Sequence, residues 1–137
     1  SWVKADHVEL YANGLLIREA NIADANRPGE KARMVWHLPK PEHDVHLVVM
    51  ATGPGVVEPF WEIPRPYQAS SKTFIPRVMG STNPIWLDAD GNGRFQSAHD
   101  YAKSLLAKHG GDPRKLQEAL LQYDQAVAVQ VASLVVK

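Results

Sequence analysis

The chain has 137 residues, in which 15 lysine and arginine residues balance 15 aspartate and glutamate residues, and it has no cysteine. A chain of this length buries about two thirds of its unfolded surface, which is enough for one hydrophobic core. The formal net charge of zero argues against nucleic-acid or anionic-membrane partners, because both attract strongly basic surfaces. The lack of cysteine excludes disulfides and thiolate zinc sites, and no apolar run approaches the ~20 residues that span a bilayer.

The first third of the chain has the pattern of β-structure. Apolar and polar residues alternate over residues 7–12, and Asn13-Gly14 follows. Asn-Gly tolerates the positive φ angles of a tight hairpin turn, so a hairpin is predicted between residues 2 and 22. Residues 34–38 are predicted to begin a further strand, which the two prolines after it would end because proline has no N–H to donate.

The middle of the chain is predicted to supply the remaining strands. Residues 44–51 are apolar on both faces, which is typical of a central strand covered on both sides. Residues 53–72 contain four prolines among aromatic residues, and this composition predicts a long ordered loop. Short strands are expected at residues 74–78 and 85–87.

The C-terminal part of the chain has the apolar period of α-helices. Ser97 is a predicted N-cap with Asp100 three residues later, and Gly110 ends this helix. A second helix is predicted to begin at Asp112-Pro113, although its β-branched C-terminal residues leave a strand open as the alternative. The two predicted stripes consist of Ala98, Tyr101, Ala102, Leu105 and Leu106, and of Leu116, Ala119, Leu120, Tyr123, Val127, Val131 and Leu134.

These elements predict a single, mainly β domain over residues 1–137. We expect an immunoglobulin-like β-sandwich over residues 1–87, a calcium-binding-like loop over 88–100 and a helical hairpin over 97–137. Because the chain begins with Ser rather than Met, we also expect it to be part of a larger protein.

The most specific chemical pattern is the segment DADGNGRFQ, which begins at Asp88. Oxygen-bearing side chains at positions 1, 3 and 5 of such a loop can converge on a hard cation, and glycine at position 6 permits the sharp turn around it. The backbone carbonyl of position 7 and a water-mediated contact at position 9 add further oxygens. Together with the next carboxylate along the chain, the predicted Ca²⁺ ligands are Asp88, Asp90, Asn92, Arg94, Gln96 and Asp100.

The loop departs from the EF-hand pattern at its end. Position 12, where a bidentate Glu is expected, is His99, and the nearest carboxylate is Asp100. A strand is predicted to enter the loop and a helix to leave it, so we expect a strand–loop–helix variant in which Asp100 reaches back from the first helical turn. Two other interpretations stay open: an acidic turn without an ion, and Asp100 acting only as a helix cap. Magnesium is disfavoured because it requires tighter octahedral geometry.

Other residues give weaker signals. His43 and His46 are three apart on a predicted strand, so their rings point to opposite faces and cannot share a metal ion. The aromatic residues of the proline-rich loop could plug the sandwich, dock another domain, or form a sugar-stacking platform that uses Trp61 and Tyr67. We find no Gly-x-Ser-x-Gly elbow and no phosphate-binding loop, so no catalytic residue is assigned.

The segment STNPIWLDADGNGRFQS, residues 81–97, resembles the C-terminal region of CehA/McbA-like metallohydrolases of the polymerase and histidinol phosphatase (PHP) superfamily. The hairpin at residues 8–14, the strand that ends in Ala-Thr-Gly and the closing helix follow in the same order. The catalytic domain of such proteins carries a His-x-His motif, which this chain lacks. The resemblance therefore implies a non-catalytic C-terminal module, a catalytic domain of the same parent chain as its partner, and a periplasmic or secreted location.

The predicted function is that of a non-catalytic, calcium-stabilised accessory domain, which supports or orients the catalytic domain of a larger metal-dependent hydrolase. The alternative is a carbohydrate or cell-surface binding module. An enzyme complete in this chain is disfavoured because the sequence has no visible catalytic set.

Overall fold

The computed structural model describes residues 3–24, 29–56 and 77–136. The described residues form strands first and helices last. This confirms the prediction that the chain contains both strands and helices, in this order. The elements are β1 (His7–Ala12), β2 (Leu15–Asn21), β3 (Val45–Gly53), β4 (Val78–Ser81), β5 (Ile85–Leu87), α1 (Ala98–His109), α2 (Pro113–Leu120) and α3 (Gln125–Val135).

The five described strands form one antiparallel sheet. Its order is β2-β1-β3-β4, and β5 also pairs with β3. Residues 50–53 of β3 pair with β4, and residues 45–47 pair with β5, so that Val45 lies opposite Leu87. β3 is therefore central, as its apolar pattern predicted, and its residues are half-buried on both faces and buried at both ends.

The hairpin prediction is confirmed in detail. β1 and β2 are joined by Asn13 and Gly14, whose φ angles are 48° and 82°. Both angles are positive, as a tight turn that follows the twist of the strands requires. The dipeptide therefore forms the turn between the two strands.

The predicted strand at residues 34–38 is wrong. Residues 31–40 have no regular secondary structure, and Val35 is 76% exposed. A strand is stable only when a neighbour accepts and donates its backbone hydrogen bonds, and no described strand pairs with this segment. Of the proline-rich loop, residues 57–72 lie outside the described part of the chain, as do residues 74–76 of the predicted strand before β4.

The chain divides into two compact units. The first takes its described residues from 3–11, 16–24, 29–37, 48–56 and 77–83, and the second from 12–15, 38–47 and 84–136. The second unit contains the loop at residues 88–96 and all three helices. No helix in the described ranges is both long enough and apolar enough to cross a membrane.

The helices of the second unit pack around one hydrophobic core. Its buried members come from all three helices: Ala102, Leu105, Leu116, Val127 and Val131. Every other residue of the two predicted stripes is partly buried against them. The apolar period therefore identified the whole helical core.

The prediction of one long second helix is wrong, because the structure has two helices there. α2 ends at Leu120, and α3 begins after Asp124, whose side chain accepts a hydrogen bond of 3.1 Å from Val127 N. An aspartate at an N-cap satisfies a backbone N–H that a continuing helix would pair with a carbonyl. The β-branched C-terminal residues are helical, which removes the alternative of a strand.

Candidate metal centre

The loop at residues 88–96 joins β5 to α1, which confirms the predicted strand–loop–helix order. Asp88, at position 1 of the loop, holds it closed through three backbone N–H groups. Asp88 Oδ1 accepts from Gly91 N at 2.7 Å and from Asn92 N at 3.1 Å, and Asp88 Oδ2 accepts from Gly93 N at 2.7 Å. The chain therefore wraps around this carboxylate.

The side chains at positions 3 and 5 of the loop, Asp90 and Asn92, also accept hydrogen bonds from within the loop. Asp90 accepts from Asn92 N at 3.0 Å and from Asn92 Nδ2 at 2.8 Å, and Asn92 Oδ1 accepts from Arg94 N at 2.8 Å. Gly93, at position 6, has a φ of 78°, a conformation that is strained for a residue with a Cβ. The glycine thus permits the turn, as the sequence pattern predicted.

The structure adds one carboxylate that sequence reasoning missed. Asp44, directly before β3, is completely buried, and both of its oxygens accept backbone hydrogen bonds from the loop. Oδ1 accepts from Ala89 N and Oδ2 accepts from Gln96 N, each at 2.8 Å. One buried side chain therefore holds both ends of the loop.

Asp44, Asp88 and Asp90 offer carboxylate oxygens that all lie within 4.8 Å of one another. Three negative charges at this separation repel, and a bound cation would remove the repulsion. The hydrogen bond from Gly93 N is the main cause that lowers the pKa of Asp88 below its ordinary 3.8. Asp88 therefore stays a carboxylate at neutral pH and is available as a ligand.

Asp100 caps α1, a role that the sequence left open for it beside that of a ligand. Its Oδ2 accepts from Ser97 N at 3.1 Å and from Ser97 Oγ at 2.6 Å, while Asp100 N donates to Ser97 Oγ, which completes a capping box. The Ser97 side chain is also the main cause that lowers the pKa of Asp100. The structure groups Asp88 and Asp90 with Asp44, and Asp100 is not a member of that group.

The register of the sheet explains why Asp44 belongs to the site. Val45 pairs with Leu87 in the antiparallel ladder between β3 and β5. Asp44 and Asp88 each lie one residue beyond that pair, so the two carboxylates come from neighbouring strand ends. The available sequence signal was an acidic residue at the beginning of an apolar strand, but the pairing partner of that strand could not be read from the sequence.

The two histidines near the loop lie in separate aromatic clusters of the second unit. The buried His43 ring packs against Tyr101 and Tyr123, with centroids 5.6 Å and 5.3 Å away. His46 packs against Trp86 at 5.4 Å. His43 Nε2 lies 3.2 Å from an Asp124 carboxylate oxygen, but the two atoms do not form a hydrogen bond. The two imidazoles are thus not placed together.

A groove of about 540 Å³ lies in the second unit, beside the loop. Trp86, which is 55% exposed, and Phe95 form one of its walls, with their ring centroids 4.4 Å apart. Polar groups are supplied by His99, whose Nδ1 lies 3.1 Å from Gln130 Oε1, and by Gln125. No Asp, Glu, Lys or Arg lines the groove among the described residues. Trp61 and Tyr67, the predicted sugar platform, lie outside the described ranges.

Comparisons of the chain with protein-family models, with curated proteins and with solved structures gave no match. The resemblance to CehA/McbA-like proteins therefore stays a prediction from the segment that contains the loop.

Proposed function

We propose that this chain is a non-catalytic module whose strand–loop–helix junction is stabilised by bound Ca²⁺. The observation that carries the proposal is the group of carboxylates from Asp44, Asp88 and Asp90 within 4.8 Å of one another. The donors are all oxygens, which hard cations such as calcium prefer to nitrogen or sulfur. Two of these carboxylates stand at positions 1 and 3 of a loop with the calcium spacing.

The ligands would come from two places in the chain. Asp88, Asp90 and Asn92 would supply side-chain oxygens from the loop, and Arg94 its backbone carbonyl. Asp44 would add a carboxylate from the residue directly before β3, in place of the bidentate Glu that is missing at position 12. Gln96 would act through water, and Asp100 would stabilise the start of α1 through its capping box.

A bound cation would act structurally in this proposal. It would neutralise carboxylates that repel one another and fix the point where β5 passes into α1. Because the loop reaches this arrangement only in the folded chain, the free energy of binding would add to the stability of the fold.

The proposal about the parent protein is supported by the resemblance of residues 81–97 to CehA/McbA-like metallohydrolases. We propose that the module is an accessory domain of a larger, exported metal-dependent hydrolase, and that it supports or orients the catalytic domain. The immunoglobulin-like sandwich belongs to the same proposal, with the described sheet as one of its two layers.

Thermal unfolding in excess calcium and in chelator tests the calcium proposal. A ligand at about 100 times its Kd stabilises the folded state by about 2.7 kcal/mol, which corresponds to a rise in Tm of roughly 5–15 °C. Asp88→Ala and Asp90→Ala are expected to lower the Tm and to abolish the calcium-dependent rise.

Asp112→Ala is the matched control for loss of an acidic side chain. Asp112 caps α2, away from the three grouped carboxylates, so this variant is expected to lose about 1 kcal/mol and to keep the full calcium response. Equal Tm values of the unaltered chain in calcium and in chelator would contradict the proposal.

Carbohydrate binding is a second candidate function, which the groove in the second unit favours. An exposed indole can stack on the apolar face of a sugar ring, and the amides of Gln125 and Gln130 offer hydrogen bonds to hydroxyl groups. Since no Asp, Glu, Lys or Arg lines the groove among the described residues, the ligand would be a neutral oligosaccharide.

A glycan array of neutral oligosaccharides tests this second candidate. We expect binding to the unaltered chain and its loss in Trp86→Ala. Trp36→Ala removes the same side chain from a residue that does not line the groove, and it is expected to bind as the unaltered chain does. An array without signal, or equal signals from Trp86→Ala and the unaltered chain, would reject the sugar site.

A further inference from the structure

A second cluster of metal-binding side chains lies on the hairpin of the first unit. His7 and Glu9 are two residues apart on β1 and so lie on the same face of the sheet, and Glu19 lies on β2 beside them. His7 Nε2 is 3.6 Å from Glu9 Oε1 and 3.5 Å from Glu19 Oε2. One ligand atom from each of the three residues lies within 4.8 Å of the other two.

Two residues outside this cluster orient its ligand atoms. His7 Nδ1 lies 3.0 Å from Asn21 Oδ1, which can only accept, so the ring carries its hydrogen on Nδ1. In the neutral ring, Nε2 then presents its lone pair to the carboxylates. Tyr11 OH donates to Glu9 Oε2 at 3.0 Å, which leaves Oε1 facing His7. Metal-binding histidines and carboxylates are typically held by such outer hydrogen bonds.

The separations between the donors indicate the kind of ion. Bonds of about 2.0–2.2 Å in a tetrahedral site place neighbouring donors roughly 3.3–3.6 Å apart. The two distances from His7 Nε2 fall in this range. One imidazole nitrogen with two carboxylate oxygens suits zinc and similar transition ions better than calcium, and three protein ligands leave the fourth position to water.

We propose that His7, Glu9 and Glu19 bind one divalent transition ion of the zinc class on the β1–β2 hairpin. This site shares no residue with the proposed calcium loop. The proposal therefore does not depend on whether that loop binds calcium. The side chain of Glu19 is 62% exposed, so the ion reaches the site directly from solvent. The competing interpretation is an ion pair between a protonated His7 and the two glutamates, with no metal.

Calorimetric titration of the whole chain with ZnCl₂, in excess calcium to saturate the acidic loop, tests the proposal. We expect one zinc equivalent, and His7→Ala and Glu19→Gln are each expected to weaken binding at least tenfold. Asn21→Ala, which frees the His7 ring, is expected to weaken it about tenfold or more. Circular dichroism establishes that each variant is folded; Glu19→Gln at an exposed position keeps the test valid if His7→Ala does not fold.

His109→Ala and Glu118→Gln are the matched controls, because they remove the same functional groups from the helical unit. Both are expected to bind zinc as the unaltered chain does. No zinc binding by the unaltered chain would support the ion pair and overturn the proposal. Zinc binding that is unchanged in Glu19→Gln and Asn21→Ala, or lost equally in the controls, would also overturn it.

Discussion

Replacement of Asp44 by alanine is expected to lower the free energy of unfolding by about 3–6 kcal/mol. Asp44 is fully buried, and its two oxygens accept hydrogen bonds from Ala89 N and Gln96 N. Hydrogen bonds to a charged group contribute about 1.5–3 kcal/mol each, and the substitution would leave both amides without their acceptor. The loss corresponds to a fall in Tm of roughly 10 °C or more.

Two further variants test whether the loss of stability is specific to Asp44 or would follow from the removal of any aspartate side chain. Asp44→Asn keeps one acceptor oxygen and is expected to lose about half as much stability in urea denaturation. Asp112 also accepts from two backbone amides, Arg114 N and Lys115 N, but it lies at an exposed helix end. Asp112→Ala is expected to cost only about 1 kcal/mol. Equal losses in Asp44→Ala and Asp112→Ala would show that Asp44 does not hold the loop.

Gly53→Ala is the second substitution with a large expected effect. A Cβ at Gly53, the last residue of β3, would lie 2.5 Å from Ala5 Cα and closer still to Lys4 O. These are backbone atoms, and Lys4 and Gly55 fix them through hydrogen bonds of 2.8 Å and 3.1 Å. Overpacking costs up to about 3 kcal/mol where side chains can adjust, and occasionally more. With only backbone to move, we expect a loss of about 3 kcal/mol or more.

Gly80→Ala provides the control within the same sheet. Gly80 lies on β4, and a Cβ added there meets nothing within 4 Å. Its φ is not positive, so alanine can adopt the same backbone conformation. The substitution also lowers the conformational entropy of the unfolded chain, and we expect the free energy of unfolding to change by no more than about 1 kcal/mol. Similar losses for Gly53→Ala and Gly80→Ala in urea denaturation would contradict the close approach at residues 4 and 5.

The features that were predicted correctly from the sequence depend on interactions between near neighbours in the chain. Asn13-Gly14 determines a turn by itself, and Ser97 with Asp100 determines where α1 begins. The apolar stripes also required no knowledge of other elements, since each helix must bury one face. The strand–loop–helix order at residues 85–98 follows from the same local signals.

The features that were missed depend on residues far apart in the sequence. Residues 34–38 have the composition of a strand but no described neighbour to pair with. Asp44 joins the acidic loop only because β3 and β5 pair in one register, and Glu19 joins His7 only through the pairing of β1 and β2. The break before Asp124 was local, but the apolar stripe continues across it and concealed the N-cap.

The central claim is that calcium binds the loop that begins at Asp88, and amide NMR spectra recorded during a calcium titration test it most directly. We predict that the amide signals of Ala89, Gly93 and Gln96 shift and saturate at one equivalent, because their N–H groups donate to Asp44 and Asp88. The amides of α2 should not move. Loop amides that stay unchanged in excess calcium would contradict the account.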